Sequence, residues 1–272
     1  MSALTLRLYC SVRSQGASYA PSKIFRLIFG QVRLAWRTVP FLRLDSPQGQ
    51  WARRWRRLVR PAWLGTVRRS VPLSDEWGYD RGTPIDRYYI AAFLREHHED
   101  IRGRSLEVRG SEYIDRYGTG VERRDILDID PTNPRATIVA DLSEGTGAPS
   151  DAFDCFVLTQ TLQFIPNTHA AVTHAHRMLK PGGVLLATVP SVSRLAPWHG
   201  LKTDYWRFTP ASCVHLFEDI FGAGRVTIQS YGNVLAGVAF LLGMAREELS
   251  IAELDVNDPY FPLIIGVRAV KA

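Results

Sequence analysis

Apolar residues fall along the chain in short, nearly continuous runs separated by amphipathic stretches, the spacing of strands alternating with helices. Phe153-Asp154-Cys155-Phe156-Val157-Leu158 is one run, led by an aromatic-acid pair. Thr159-Gln160-Thr161-Leu162-Gln163-Phe164 follows it, then a helical stretch ending in Arg177-Met178-Leu179-Lys180-Pro181-Gly182-Gly183. Val184 to Pro190 is the next apolar run. Strand, crossover helix and strand, with Pro-Gly-Gly as the stop between the last two, predict a parallel βαβ unit. The same texture predicts further strands at Leu106-Glu107-Val108, Asp125 to Asp130 (closed by Pro131), Ala136 to Asp141, Val226 to Gln229 and Leu263 to Val270. A helix is predicted over about 234–249. Pro84 opens another, with Ile85, Tyr89, Ala92 and Phe93 on one face, which ends near Gly103. Such alternation is that of a doubly wound α/β sheet with helices on both faces.

Charge divides the chain. The net +6 is carried entirely by residues 1–70, which hold 14 Lys/Arg against Asp45 alone; residues 71–272 hold 19 against 26 Asp/Glu. In the basic part, Pro21 to Leu44 reads as amphipathic (Ile24, Leu27, Ile28, Leu34 and Trp36 against Lys23, Arg26, Arg33 and Arg37), and Trp51 to Arg69 repeats the theme. This composition suits an anionic membrane surface, an acidic partner protein, or helices that pack on the body with Arg reaching outward. It lacks the features of an RNA-binding motif, which disfavours nucleic acid. Three segments are expected: a basic aromatic extension (1–70), a cap with a shaped loop and a helix (71–102), and the α/β domain (103–272).

Cys10, Cys155 and Cys213 share no ligand spacing, and Cys155 sits in an apolar run as a small buried thiol. No zinc or other metal set is expected, since His169, His174 and His176 on the crossover helix have no carboxylate at ligand spacing and are expected in solvent. The amino terminus lacks the apolar core of a signal peptide, and Val234 to Ala245 is too short to span a bilayer. The expected location is the cytosol, with peripheral contact at the inner membrane surface through residues 1–70.

The spelling of residues 153–190 resembles the fourth and fifth strands of class I S-adenosylmethionine-dependent methyltransferases. The resemblance covers about 103–190 well and the remainder by element order. It implies a seven-stranded, mainly parallel Rossmann-like sheet whose last strand is inserted antiparallel, and S-adenosylmethionine as cofactor. Carried residue by residue, it places Glu107 at the acidic position of the first motif. Asp130, ending the second strand, is the ribose ligand, with Asp128 the alternative. Asp141 reads the adenine amino group, and Leu142 offers its backbone amide. Thr159 and Gln160 lie beside the sulfonium. The family's glycine-rich turn reads Arg109-Gly110-Ser111-Glu112-Tyr113 here. Arg109, Ser111 and Tyr113 fall on the glycine positions, and either Arg109 pairs with the cofactor carboxylate on another loop path or the pocket has lost the cofactor.

The stretch after the fifth strand, Ser191 to Phe208, is where the resemblance puts acceptor contacts. His199 is the candidate base, with Asp204 or Tyr205 as its orienter. Trp206 and Arg207 are candidate acceptor contacts, as are Arg87 and Tyr88 from the cap, which in the family often folds over the cofactor. The Asp204 to Thr209 run, together with Asp80 to Tyr89, is similar to bacterial methyltransferase-like proteins associated with glycan assembly. That implies O-methylation of a saccharide or glycosylated metabolite. The other reading is a methyltransferase fold without activity, a partner or scaffold protein docked through its basic arm.

Overall fold

The computed structural model describes residues 65–196 and 202–272. The amphipathic segments expected within 1–64 lie outside the described residues. Val67–Ala272 forms one compact unit, so the cap and the α/β domain cohere as a single body.

The body is built on seven strands: β1 (Gly103–Val108), β2 (Val121–Asp128), β3 (Ile138–Val139), β4 (Phe153–Thr159), β5 (Leu179–Pro190), β6 (Val226–Tyr231) and β7 (Ile264–Val270). Their order is β3-β2-β1-β4-β5-β7-β6. β1 to β5 pair in parallel, and β7 runs antiparallel between β5 and β6. This is the doubly wound sheet that the strand pattern predicts, with the seven strands and antiparallel last strand that the resemblance implies. The winding reverses between β1 and β4, the point where doubly wound sheets bind ligands at the carboxyl ends of their strands.

The apolar runs are continuous because both faces are covered. Phe156 and Leu158 of β4, with Leu185, Ala187 and Val189 of β5, face one core. There they meet α3 (Thr168–Met178) and α4 (Pro210–Phe221) through Val172, Ala175, Cys213 and Phe217. Cys155, Val157, Val184 and Leu186, at the alternate positions, face the opposite core. That core is closed by α1 (Ile85–Glu96), α2 (Glu112–Tyr117), α5 (Val234–Leu241) and α6 (Ile251–Leu254). Gly266 of β7 belongs to this packing: a Cβ there would sit 2.5 Å from the Phe93 ring, so α1 lies directly on the strand.

Several boundaries differ from the expectation. The Pro-Gly-Gly is no stop before β5 but lies inside it: Phe153 pairs with Leu179 and Cys155 with Val184, which leaves Lys180 to Gly183 as a bulge. Gly182 takes φ +79° there, and the Lys180 ammonium holds Asp154 at 2.7 Å. The expected helix over 234–249 stops at Leu241, where Gly243 turns at φ +73° and lies so close to Ser74 that no side chain fits. β2 ends at Asp128 rather than Asp130. His174 and His176 are half-buried instead of solvated, His174 against Gly145 and His176 edge-on to Phe221 at 4.8 Å.

Candidate functional site

β1 and β4 deliver their last residues to the point where the winding reverses. Glu107 is 3% exposed and pairs in register with Ile126 and Val157. Its carboxylate accepts the N–H of Ile114 at 2.9 Å and of Tyr113 at 3.1 Å, closing the first turn of α2. Burial pushes its pKa up to about 7 against the pull of those two amides, with Glu112 and Asp115 adding to the rise. Arg109 follows with φ +67°, a left-handed conformation that non-glycine residues seldom take. Its N–H donates to the Leu127 carbonyl at 2.9 Å, and its own carbonyl accepts Asn133 Nδ2 at 3.1 Å. Its guanidinium makes no hydrogen bond or ion pair with the described residues. Gln160, following β4, is likewise left-handed at φ +48°. Its N–H donates to the Thr188 carbonyl at 2.8 Å, and its carbonyl accepts Gln163 Nε2 at 3.0 Å.

Arg109 and Gln160 line one wall of a cavity of about 200 Å³. The cap contributes Trp77, Tyr79, Asp86 and Arg87; the stretch after β5 contributes Arg194, Asp204 and Arg207. Arg87 donates to the Tyr79 hydroxyl at 3.1 Å and to the Tyr113 hydroxyl at 3.0 Å. Burial works to lower its pKa, but the Asp86 carboxylate and those two phenols outweigh it and leave the pKa raised. Arg207 clamps Asp204 through two bonds of 2.6 and 3.0 Å, and Asp204 also accepts the Ala196 N–H at 3.0 Å. Asp204 therefore shapes this stretch through Arg207.

Two buried acceptors in the cavity have no hydrogen-bond partner among the described residues: Asp86 Oδ1 and Gln163 Oε1. Asp86 is 9% exposed and Gln163 6%. Burial raises the Asp86 pKa, with the Arg87 charge and first-turn backbone amides opposing it. An unpaired buried acceptor costs about 1–3 kcal/mol, so a pair in one cavity points to a ligand with donors or positive charge. Sequence reading passed over both. The signal for Asp86 was present, since it is an acid on the stripe of α1 that buries Ile85, Tyr89, Ile90 and Phe93. Asn133 was also missed; its amide joins the Arg109 carbonyl to Asp128 at 2.7 Å.

The other expected residues are placed as follows. Glu107, Asp128, Asp130, Asp141, Leu142 and Thr159 lie along the carboxyl edge but do not line the cavity. Asp128 is buried at the end of β2 and holds Asn133 and the Asp130 N–H. Asp130, expected to end the strand, is exposed beyond it and folds back on Thr132 with bonds of 2.7 and 2.9 Å, which depress its pKa. Asp141 bonds Ser143, and the Leu142 side chain is part of the core. Gly110 is buried, with the Glu112 carboxylate over its α-carbon. Tyr88 turns away from the cavity to hydrogen-bond Asp255. Trp206 is an anchor, its indole donating to the Ile165 carbonyl at 2.9 Å, and Tyr205 is 46% exposed outside the cavity. Arg207 is occupied by Asp204. His199 lies outside the described residues. Among the described residues, no group of three or more His, Cys, Asp or Glu could hold a metal, and no helix is long and apolar enough to cross a membrane.

Residues 121–187, from β2 into β5, match the family model of the methyltransferase domain. No curated protein matches the chain. Among solved structures, a SAM-dependent methyltransferase from Archaeoglobus fulgidus is similar at 15% identity and a TM-score of 0.46, covering 68% of this chain and 94% of that one. An S-adenosylmethionine-dependent methyltransferase from Mesorhizobium loti is similar at 16% identity and a TM-score of 0.43, covering 71% and 100%. The [4+2]-cyclase SpnF is similar at 15% identity and 0.46, covering 74% and 85%. Likenesses this distant carry no argument about substrate or individual residues.

Proposed function

We propose that the protein is an S-adenosylmethionine-dependent methyltransferase acting on a hydroxyl of a saccharide or glycosylated metabolite. The observation that carries the methyltransferase reading is the matched domain segment folding as β2 to β5 of a sheet ordered β3-β2-β1-β4-β5-β7-β6, with the cavity at its point of reversal. The rival reading, an inactive scaffold, drew its support from the replaced glycines. Arg109 weakens that support by keeping the left-handed turn without glycine.

The cavity residues fit the cofactor's methionine end. That end carries an ammonium and a carboxylate; Asp86 Oδ1 and Gln163 Oε1 are unpaired acceptors, and Arg109 offers a guanidinium without a protein partner. A cation beside Asp86 would oppose the rise that burial imposes on its pKa. At about 200 Å³ the cavity is below the ~300–1,000 Å³ usual for small-molecule sites. The nucleoside would then extend along the carboxyl edge, with Asp128 or Asp130 taking the ribose and Asp141 with the Leu142 amide the adenine. Glu107, Gly110, Thr159 and Gln160 would shape the turns beneath it.

When bound, the cofactor supplies a methyl group on a positively charged sulfur. The protein's task is to align an acceptor oxygen with it and remove the hydroxyl proton. His199 is the proposed base, and Arg87 on the cap wall the proposed acceptor contact. The saccharide rests on resemblance in the Asp80–Tyr89 and Asp204–Thr209 segments alone.

The test is calorimetry with S-adenosylmethionine and its demethylated product. Wild-type protein should bind both, and Asp86→Asn should weaken binding by about 1.5–3 kcal/mol through loss of a charge-assisted bond. Absence of wild-type binding at millimolar ligand would hand the case to the scaffold reading. Equal affinities for wild type and variant would remove Asp86 from the site.

A further inference from the structure

The described body leaves one apolar strip open to solvent. α5 contains no charged residue. Its Ala236, Ala239 and Phe240 are buried, yet Val234, Leu235, Val238 and Leu241 remain between 39% and 57% exposed. The strip continues past both ends of the helix. At the carboxyl end, the Leu73 N–H donates to the Leu242 carbonyl at 2.7 Å and brings up Val71, 62% exposed. At the amino end, Asn233 donates to the Val256 carbonyl at 2.7 Å and Asp258 to the Gly232 carbonyl at 2.9 Å. These bonds seat the turn holding Tyr260, 83% exposed, and Phe261, 52% exposed. Contiguous exposed apolar surface of this kind marks an interaction face.

Charge and composition select the occupant. The strip itself is uncharged, and its Val71 end is joined to the exposed Arg68 and Arg69, the last cations of a 70-residue stretch with 14 Lys/Arg, one acid and four tryptophans. An anionic surface would be attracted by them. The acids flanking the far end, Glu253, Asp255 and Asp258, hydrogen-bond Ser250, Tyr88 and the Tyr260 N–H, bonds that remove no charge, so the attraction to anionic lipid comes from the Val71 end. Aliphatic side chains along a helix, an aromatic pair at one end and arginines at the other match what a lipid headgroup boundary binds.

We propose that the outer face of α5 and its two flanking turns lie on an anionic lipid bilayer, the aliphatic side chains entering the headgroup–acyl boundary and the arginines at the Val71 end facing lipid phosphates. The inner face of the same helix supplies Phe240 to the cavity, so the contact would hold the candidate site next to the membrane surface.

The experiment is flotation of the full chain with phosphatidylcholine vesicles, with and without phosphatidylglycerol. Wild type should float with the anionic vesicles, and Leu235→Glu/Val238→Glu should float at least about tenfold less, because two inserted side chains become anionic. Flotation unchanged by the double substitution would assign binding to residues 1–70 alone and overturn the proposal. So would a lipid-free sedimentation mass that is dimeric in wild type and monomeric in the variant. As a check independent of the variant's folding, Val238→Cys in a Cys10→Ser background can carry an environment-sensitive fluorophore, since Cys155 and Cys213 are buried. A blue shift on anionic vesicles supports insertion, and an unshifted spectrum with bound vesicles refutes it.

Discussion

Glu107 should make folding stability fall as pH rises through neutrality, and Glu107→Gln should abolish that fall. The carboxyl is 3% exposed, and burial puts its folded pKa at about 7 against 4.5 for the free side chain. Below about pH 4.5 it is protonated in both states and costs nothing. Between 4.5 and 7 the unfolded chain ionises while the folded one does not, so stability declines. Above 7 the loss levels off near about 3 kcal/mol. A neutral amide does not titrate and keeps one oxygen for the Ile114 N–H, now held at 2.9 Å. It replaces the second carboxylate oxygen poorly, weakening one contact with the Tyr113 N–H at a cost of about 1 kcal/mol. The variant should therefore match wild type near about pH 5 and exceed it by about 2 kcal/mol at about pH 8. Urea unfolding across that range reads both values directly. A difference that stays flat with pH would mean that the two α2 amides outweigh burial and that Glu107 is already ionised at neutrality, and the reasoning would fail.

Two further outcomes follow from the same cleft. Arg109→Gly should relieve the left-handed strain, worth about 1–2 kcal/mol, against about 0.4–1 kcal/mol of added freedom in the unfolded chain; the net is a stabilisation of up to about 1.6 kcal/mol by denaturation, with weaker S-adenosylmethionine binding by calorimetry. Asp204→Ala should cost about 1.5–3 kcal/mol, because it removes the 2%-exposed carboxylate that Arg207 holds with two charge-assisted bonds, while the guanidinium keeps the Trp206 and Arg194 carbonyls. An Asp204→Ala protein of wild-type stability but lost turnover would return Asp204 to a role at the acceptor.

The sheet was legible because its strands are buried on both faces, which writes Phe153 to Leu158 and Val184 to Pro190 as unbroken apolar runs. Boundaries set by tertiary contact were not. Pro-Gly-Gly reads locally as a stop, but β7 hydrogen-bonds across it, Gly182 donating to the Lys271 carbonyl and Lys271 to that of Gly183, and turns it into a bulge. Gly243 reads as an ordinary helix glycine until Ser74 packs against it. The site divides in the same way. Arg109, placed by the resemblance on a glycine position of the first motif, and Gln160, at the end of the fourth strand, both line the cavity. Strand-end position could not tell Asp130 from Asp128, since an Asx turn to Thr132 is chosen by loop path. Tyr88 and Trp206 were misplaced because an aromatic beside a cleft and an aromatic anchoring the cleft's wall have the same sequence signature.

Two of the expected cofactor residues, Arg109 and Gln160, line the cavity and share a conformation as well as a location. Arg109 and Gln160 follow β1 and β4, the strands that flank the reversal of winding, and both are left-handed at φ +67° and +48°. Each costs roughly 1–2 kcal/mol relative to a glycine in the same place. Each is held there from both sides: the Arg109 N–H by Leu127 and its carbonyl by Asn133, the Gln160 N–H by Thr188 and its carbonyl by Gln163. A backbone so fully determined would accept glycine with less strain; the Gln160 side chain is part-buried against Thr188 and Gln163, while that of Arg109 is exposed and makes no hydrogen bond with the described residues. What the larger residues add is a guanidinium and an amide on the cavity wall, facing the volume that Asp86 and Gln163 line with unpaired oxygens. The strain is thus accounted for only if those side chains meet a ligand that carries both an anionic group and a cation. On the proposed reading, the Arg109 guanidinium and the Gln160 amide are the groups that such a ligand would meet.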